Sequence, residues 1–563
     1  MRNSLLAKTI FSAILAASIS AVSMLPVFAA PTAAPEIVAV RPKESAPLSS
    51  GTIDENSGIK PAMYIPSGTT INSQKELPRS YKTSTTGVKA QGAYNTCWAF
   101  SGIGAMEAFL SRDGKGDRDL SEQHLSWWAT EIYNDNHIGW QLSGLNEGGY
   151  SMISAGYFIS WEGAKLEEDV PYIRGRNDTL PDNMDDAHTA FGATGIMYVN
   201  NDIDSVKNAI YKYGGIATSY NNGIGYGPGK RTYYQTGTPS SYNGHAITVI
   251  GWDDDFPMED FDEDNMPPDN GAWLIKNSWG VDACDNGYMW ISYYDSCLLN
   301  TDIWRANIAF TSVRTMNDYD RLYQNERYGA TYYTYLTDRR GDALPEASFV
   351  NVFDFDDEHP YLQEIIFETQ SQGADYEVFY IPVENDKPVG DESRWTSLDS
   401  GVVSYSGYIC ADVSGKIQVS GKGAIGVKIT THKEYGCAKF GVDEWMTSND
   451  GKFIFVPDAK HGDSFVINDG KVYDLMDVYA ANNDTVGGTL VIKAVASSEV
   501  VADADNDGIV TSDDALFVLR QTVRSDEIPQ EDINKYDVNK DGVLNSEDAL
   551  IVLRKSAGLI TEF

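Results

Sequence analysis

The chain has 563 residues, 43 of them Lys or Arg against 81 Asp or Glu, for a formal net charge of -38, and 42% of it is hydrophobic. This length exceeds what one core sustains and predicts several domains of roughly 50 to 250 residues. The acidic surplus argues against nucleic acid or an anionic lipid surface as partner and favours solubility, calcium or a cationic partner surface.

Residues 1–30 read as a secretory signal. Arg2 and Lys8 flank the n-region, a mostly apolar run follows from Ile10 to Phe28, and Ala29 and Ala30 supply small cleavage-site residues. Ser12, Ser18, Ser20 and Ser23 interrupt that run, which disfavours the alternative of an uncleaved membrane anchor. No later stretch approaches the roughly eighteen continuous apolar residues that span a bilayer, so the expectation is a secreted chain without stable membrane insertion. Residues 31–76, rich in Pro, Ser, Thr, Ala and Gly, read as a linker or short prosegment. Five cysteines do not make a disulfide scaffold, and an odd count leaves at least one thiol unpaired. Cys97 is the candidate free thiol, while Cys284 with Cys297, and Cys410 with Cys437, are near enough in sequence to pair.

Residues 77–308 mix helical patterns with strand-like runs such as Ala246–Trp252 and Ala272–Lys276, as an α+β domain does. Within them, Gln91-Gly-Ala-Tyr-Asn-Thr-Cys97-Trp-Ala-Phe-Ser101 precedes a helical pattern in which Ala99, Ile103, Met106 and Leu110 share a face. Cys97 would open that helix, where unpaired amides and the macrodipole lower a thiol's pKa. A lone cysteine is more often a buried, inert one, but three features oppose that. Asn243-Gly-His245 sets an imidazole before an apolar strand, able to deprotonate Cys97 and later protonate a leaving amine. Asn277-Ser-Trp279 ends another strand with an amide that can orient that imidazole and an indole that can shield it. Gln91 can donate an N–H toward a developing oxyanion, together with the Cys97 backbone N–H.

These residues, in this order, resemble the papain-like cysteine peptidases, and Leu77-Pro-Arg-Ser-Tyr81, Leu120-Ser-Glu-Gln123 and Glu147-Gly-Gly-Tyr150 agree with further stretches of that family. The resemblance implies a two-lobed α+β peptidase domain with Cys97 as nucleophile, His245 as general base and acid, Asn277 as its orienter and Gln91 in the oxyanion hole. It implies that Gly148 and Gly149 offer backbone to an extended peptide, with Trp279 at the same cleft and no cofactor needed for catalysis. Tyr94 and Asn95 stand where the family usually has cysteine and glycine, so the disulfide made there should be absent. An acidic insertion, Asp253 to Asp264, lengthens the interval between His245 and Asn277; it reads as a solvated loop, with a bound cation or a substrate gate as the alternative.

Residues 315–498 change texture to short strand candidates, including Phe349–Phe355, Glu364–Glu368, Tyr376–Ile381, Gly426–Thr430 and Leu490–Val495, which suggest an all-β sandwich. By its position after a papain-like domain it resembles the lectin-like sandwich of some bacterial surface peptidases. Tyr328, Tyr332, Tyr333 and Tyr335 could form a sugar platform, although strand aromatics are more often packing residues, and carbohydrate binding stays a minor expectation.

Residues 501–563 carry a two-fold repeat with a period of 34 residues, from Asp503 to Asp537. Asp503, Asp505, Asp507, Thr511 and Asp514 fall at positions 1, 3, 5, 9 and 12 of a calcium loop with Gly508 at the bend; Asp537, Asn539, Asp541, Asn545 and Asp548 repeat this around Gly542. Each loop leads into one helix, Ala515–Arg520 or Ala549–Arg554. The duplicated loop-helix unit resembles a type I dockerin, the module that plugs secreted enzymes into cohesin domains of a cellulosome-type scaffold. The resemblance implies two calcium ions, a cohesin partner met by Ser512 and Asp513 or by Ser546 and Glu547, and a scaffold- or cell-surface-associated location. The expectation is therefore a multidomain secreted cysteine endopeptidase acting on proteins through a thioester acyl-enzyme; the rival is a catalytically silent papain-like adhesion or binding component of the scaffold.

Overall fold

The computed structural model describes the backbone of 38–39, residue 71, and residues 76–560 apart from 174–179, 182, 185–186, 238–242, 300–305, 317–318, 338–341, 415, 433–436, 448–451, 482–486, 499, 505–509, 524–527, 529–532, 534 and 540–541. The signal reading of residues 1–30 lies outside these residues. Among those described, no helix is long and apolar enough to cross a membrane.

Helix α1 (Cys97–Arg112) is the axis of the first domain. Its apolar positions close on every side, so it is buried from Trp98 to Leu110. Helices α2 (Glu122–Trp128) and α3 (Ser151–Ile159) pack on it through a cluster holding Ile103, Met106, Leu125, Trp128, Ile153 and Phe158. On the other side lies an antiparallel sheet in which β3 (Gly244–Asp253) runs between β2 (Ile216–Asn221) and β4 (Ala272–Lys276), with β5 (Tyr288–Ser292) beside β4. Helix α4 (Ile203–Tyr213) covers it, and Val206, Ile210, Ile247, Val249, Trp273 and Ile275 form a second core. The expected two lobes correspond to these two clusters, with α1 and the edge of β3 meeting between them.

Strand β1 (Phe191–Tyr198) pairs along one edge with β6 (Ile308–Thr315) and on the other with β10 (Gly407–Asp412), where Met197 faces Gly407 and Ile196 faces Tyr408. One continuous sheet thus runs from the first domain into the second. The boundary drawn from sequence between 308 and 315 falls inside β6, because the chain crosses between domains as a paired strand rather than as a linker. Val38–Ala39, within the segment read as a linker or prosegment, also pairs, against Leu336–Thr337.

The second domain is a sandwich. One sheet holds β7 (Glu346–Phe355), β9 (Asp375–Glu384), β11 (Gly421–Thr430) and β13 (Ser464–Asn468); the other holds β8 (Tyr361–Thr369), β10, β12 (Phe440–Glu444) and β14 (Ile492–Ser497). The faces meet where Phe349 of β7 stacks on Phe440 of β12 at 4.5 Å between ring centroids. Tyr333 is buried and donates to Glu368, and Tyr328 packs on Trp128 and Phe455, so these strand aromatics are packing residues; Tyr332 and Tyr335 are half-buried.

The C-terminal module pairs α5 (Ser512–Thr522) with α6 (Ser546–Ser556) through Ala515, Val518, Ala549 and Val552. None of the five cysteines is in a disulfide, against the pairings suggested by spacing. Local geometry separates them: the Asn277 amide bonds Cys284, Asp295 holds the backbone at Cys297, Thr194 bonds Cys410 from β1, and Cys437 lies by Tyr335. The acidic insertion keeps Asp255, Glu259, Asp260, Glu263 and Asp264 exposed, as a solvated loop does, but it is pinned at several points. Asp255 accepts from Arg79 at 2.7 Å, Asp254 accepts from Lys207 and Tyr293, Phe256 stacks on Trp290 at 4.6 Å, and Phe261 is buried.

Candidate active site

Cys97 is the first residue of α1 and keeps partial exposure. Thr96 stands at the N-cap, but its side chain makes no cap bond; its hydroxyl is held at 2.7 Å by that of Tyr172. The first-turn amides therefore lack a side-chain cap, and the backbone N–H groups of Ala246, Trp98 and Cys97 itself reach the sulfur instead. Burial nevertheless outweighs these amides and pushes the Cys97 thiol up, which corrects the expectation that the helix end alone would lower it.

His245 is buried near the start of β3, and its Nε2 donates to Asn277 Oδ1 at 2.8 Å. Trp279 stacks on the imidazole at 4.8 Å and 21°, shielding that bond. Burial lowers His245 to about 4, although the Asn277 bond works in the opposite direction. With Nε2 engaged, Nδ1 is the remaining nitrogen for proton exchange.

Gln91 is buried and doubly fixed: its Oε1 accepts from Ser278 Oγ at 2.7 Å and its Nε2 donates to Tyr94 O at 2.7 Å. One N–H of the amide remains for an oxyanion. Backbone bonds from Gln91 N to Ser278 O and from Gly280 N to Lys89 O join this segment to the one bearing Asn277 and Trp279. Tyr94, in the absent disulfide's place, is buried against Trp127, Leu145, Val170 and Met184, and Asn95 donates to Asn146 O at 2.8 Å. The loop before the nucleophile is thus tethered by packing and a hydrogen bond.

Gly148 has φ +84, and a Cβ at Gly149 would meet the Trp98 indole at 2.4 Å, so packing against the residue after the nucleophile requires glycine there. The second domain reaches this segment: Phe453 packs on Tyr150 at 4.6 Å, and Lys452 lies 3.7 Å from Glu147.

Several supporting residues carried no assigned role in the sequence. Ser278 lies in the same short motif as Asn277; Tyr172, whose hydroxyl donates to Gln91 O at 2.9 Å, has no local signal. Below the site, Glu107 of α1 binds Lys89 at 2.7 Å and Lys276 at 3.1 Å, and Lys89 also reaches Glu122 at 3.0 Å. Burial raises Glu107, but Lys276 and Lys89 outweigh it and hold the carboxyl below the usual range; burial pushes Glu122 up to about 8. Lys89 and Lys276 flank Gln91 and Asn277 in sequence, so this cluster braces three of the segments that carry the site. A small internal cavity lies among them.

In the C-terminal module Asp503, Asp514 and Asp548 are buried. Asp514 accepts from the N–H of Ala504 and Thr511, Asp548 from those of Val538 and Asn545, and Asp537 from that of Gly542. Asn539 belongs to the second loop, whereas Asp505, Asp507, Gly508 and Asp541 lie outside the described residues. Thr511 and Asn545 also act as N-caps of α5 and α6, forming capping boxes with Asp514 and Asp548. The all-oxygen donor set, with the last carboxylate of each loop held at both loop ends, fits a hard cation. Ser512, Asp513, Ser546 and Glu547 are exposed, as are Leu516 and Leu519 and their repeat mates Leu550 and Leu553.

The solved cysteine protease and lectin-like domains of Cwp84, a surface layer associated protein of Clostridium difficile, align with 78% of this chain and 91% of that one, at 34% identity and a TM-score of 0.67. The chain belongs to the papain family of cysteine proteases. Residues 74–306 match the family described as papain family cysteine protease, residues 322–496 the lectin like domain and residues 501–555 the dockerin type I domain. A second solved form, a variant of the clostridial cysteine protease Cwp84 after propeptide cleavage, shares 35% identity over 74% of this chain and 97% of that one, with a TM-score of 0.66. Curated relatives of the papain-family domain include a cysteine protease of Blomia tropicalis and cathepsin L of Sarcophaga peregrina, each 26% identical, over 39% and 42% of this chain. The chain spans 63% of the length of each of these two relatives.

Proposed function

We propose that this chain is a secreted cysteine endopeptidase that hydrolyses protein substrates and is tethered by its dockerin to a cohesin-bearing scaffold. The observation that carries the reading is the His245–Asn277 bond beneath Trp279, on the strand whose Ala246 N–H reaches the Cys97 sulfur.

In this reading the Cys97 proton passes to His245 Nδ1, and the sulfur adds to the scissile carbonyl carbon. The free N–H of Gln91 and the Cys97 backbone N–H meet the oxyanion. The imidazolium, held by Asn277, returns its proton to the leaving amine, and water resolves the thioester with His245 again as base. Gly148, Gly149 and Trp279 line the path of the extended peptide. Calcium, when bound, neutralises the crowded loop carboxylates; Asp503, Asp505, Asp507, Asp514, Asp537, Asn539, Asp541 and Asp548 would hold two ions, with Thr511 and Asn545 at the ninth positions. Ser512 and Asp513, or Ser546 and Glu547, face the cohesin, and the matching exposed leucines on α5 and α6 supply apolar contact in either of two orientations. An extracellular, scaffold- or cell-surface location follows from the signal-like first thirty residues and the dockerin, and the lectin-like sandwich is assigned a carbohydrate ligand only as a secondary role.

The test is to expose residues 77–563 to an epoxide-type thiol electrophile and a fluorogenic peptide library, alongside Cys97→Ala and His245→Ala. Labelling and hydrolysis lost in both variants support the peptidase; a folded, reduced wild type that does neither is a silent binding component instead.

A further inference from the structure

An asparagine side chain that orients a histidine must present its oxygen, and nothing in the carbon skeleton distinguishes oxygen from nitrogen. Asn277 Oδ1 takes two donors, His245 Nε2 at 2.8 Å and its neighbour's Ser278 N at 2.8 Å. The opposite end of the amide faces sulfur. Asn277 Nδ2 donates to Met289 Sδ at 3.6 Å, and the Cys284 thiol lies beside the same amide. Met289 is fully buried on β5, opposite Ile275 of β4, two residues before Asn277. Cys284 lies in a turn that doubles back on Asn277: Gly287 N donates to Ala283 O at 2.7 Å and Asn277 N to Gly287 O at 3.1 Å. Cys284 and Asn286 hold φ of 53° in that turn, a left-handed conformation a non-glycine residue adopts at a cost.

A thioether can accept a hydrogen bond but has none to give. Rotating the amide by half a turn would set Nδ2 against the Ser278 N–H and leave Oδ1 facing Met289 with no donor from it. Met289 therefore selects the rotamer that keeps oxygen on the imidazole, whereas a thiol can give or take a hydrogen bond and fits either. We infer that Met289 is a positioning residue for Asn277, acting on the reaction through the orientation of His245. The inference rests on the Cys-His-Asn reading above.

Met289→Leu keeps the volume and removes the acceptor, and Cys284→Ala is the control at a thiol that fits either rotamer. Losing one net hydrogen bond of this kind predicts a roughly three- to ten-fold fall in kcat for Met289→Leu, with KM unchanged, and near wild-type kcat for Cys284→Ala. Because the Asn277 oxygen stabilises the imidazolium, the basic limb of the kcat/KM profile should move to lower pH in Met289→Leu. A role confined to packing would change thermal stability without moving that limb, so unfolding is followed in each variant. If Asn277→Ala is impaired while Met289→Leu keeps wild-type kcat and pH profile, the assignment of Met289 is overturned on its own. If Asn277→Ala itself matches wild type, the Cys-His-Asn reading falls and takes this inference with it.

Discussion

Glu368→Gln isolates a proton held at the junction of the first two domains. The Glu368 carboxyl is fully buried, and its Oε1 accepts from Tyr198 of β1 in the papain-family domain and from Tyr333 in the sandwich. Oε2 has no partner among the described residues, and burial pushes the group from 4.5 up to about 8 against the pull of both tyrosines. A carboxyl whose folded pKa exceeds its unfolded one binds its proton more tightly when native, so its stabilisation is complete below about 4.5 and is lost as pH rises through about 8. At about 1.4 kcal/mol per pH unit, the loss between pH 5 and pH 8 is on the order of 3 kcal/mol. Glutamine keeps an oxygen for both tyrosines and cannot ionise. Denaturant unfolding of full-length wild type and variant at pH 5, 6, 7 and 8 should give curves that diverge with rising pH, the variant becoming the more stable. Glu326, whose charge also raises the Glu368 carboxyl, adds to the same divergence. Parallel curves across that range would refute a neutral Glu368.

Tyr94→Ala empties the site that stands in for the missing disulfide, and by comparison with other buried aromatics should cost about 3–5 kcal/mol; urea unfolding measures this, and the rate of Cys97 alkylation should fall as the Gln91 loop loosens. Gly156→Ala places a Cβ 1.9 Å from Tyr328 O, so the gain of roughly 1 kcal/mol in α3 propensity should be outweighed and the melting temperature should drop. Chelation of calcium should abolish cohesin binding and reduce the helical signal of residues 501–555 while peptide hydrolysis persists; hydrolysis lost in parallel would mean the ions support the papain-family domain as well.

The site was legible where chemistry depends on short, contiguous motifs. Cys97, His245, Asn277 and Gln91 each sit in such a motif, and the geometry brings His245 to Asn277 as those motifs suggest. What remained hidden depends on contacts between distant stretches. Tyr172 meets Gln91 across 81 residues and Glu107 meets Lys276 across 169, and neither carries a local pattern. The junction at β1 and β10 joins residues about two hundred apart, so a texture change in sequence could mark two domains without revealing that one sheet crosses both. Cysteine spacing misled for the same reason, since strand pairing, not separation along the chain, decides which side chains face each other. The calcium pattern was visible, but that its ninth and twelfth residues double as a capping box follows only from their helical register.

The crossing at β6 bears on self-digestion. A protease meets other copies of itself, and a peptidase cleft binds its target as a single extended strand. Residues 308–315 are extended, but their backbone is already committed to β1 along nearly their whole length. Cleavage there would require opening a sheet common to both domains, so this segment is a poor substrate for another copy of the chain.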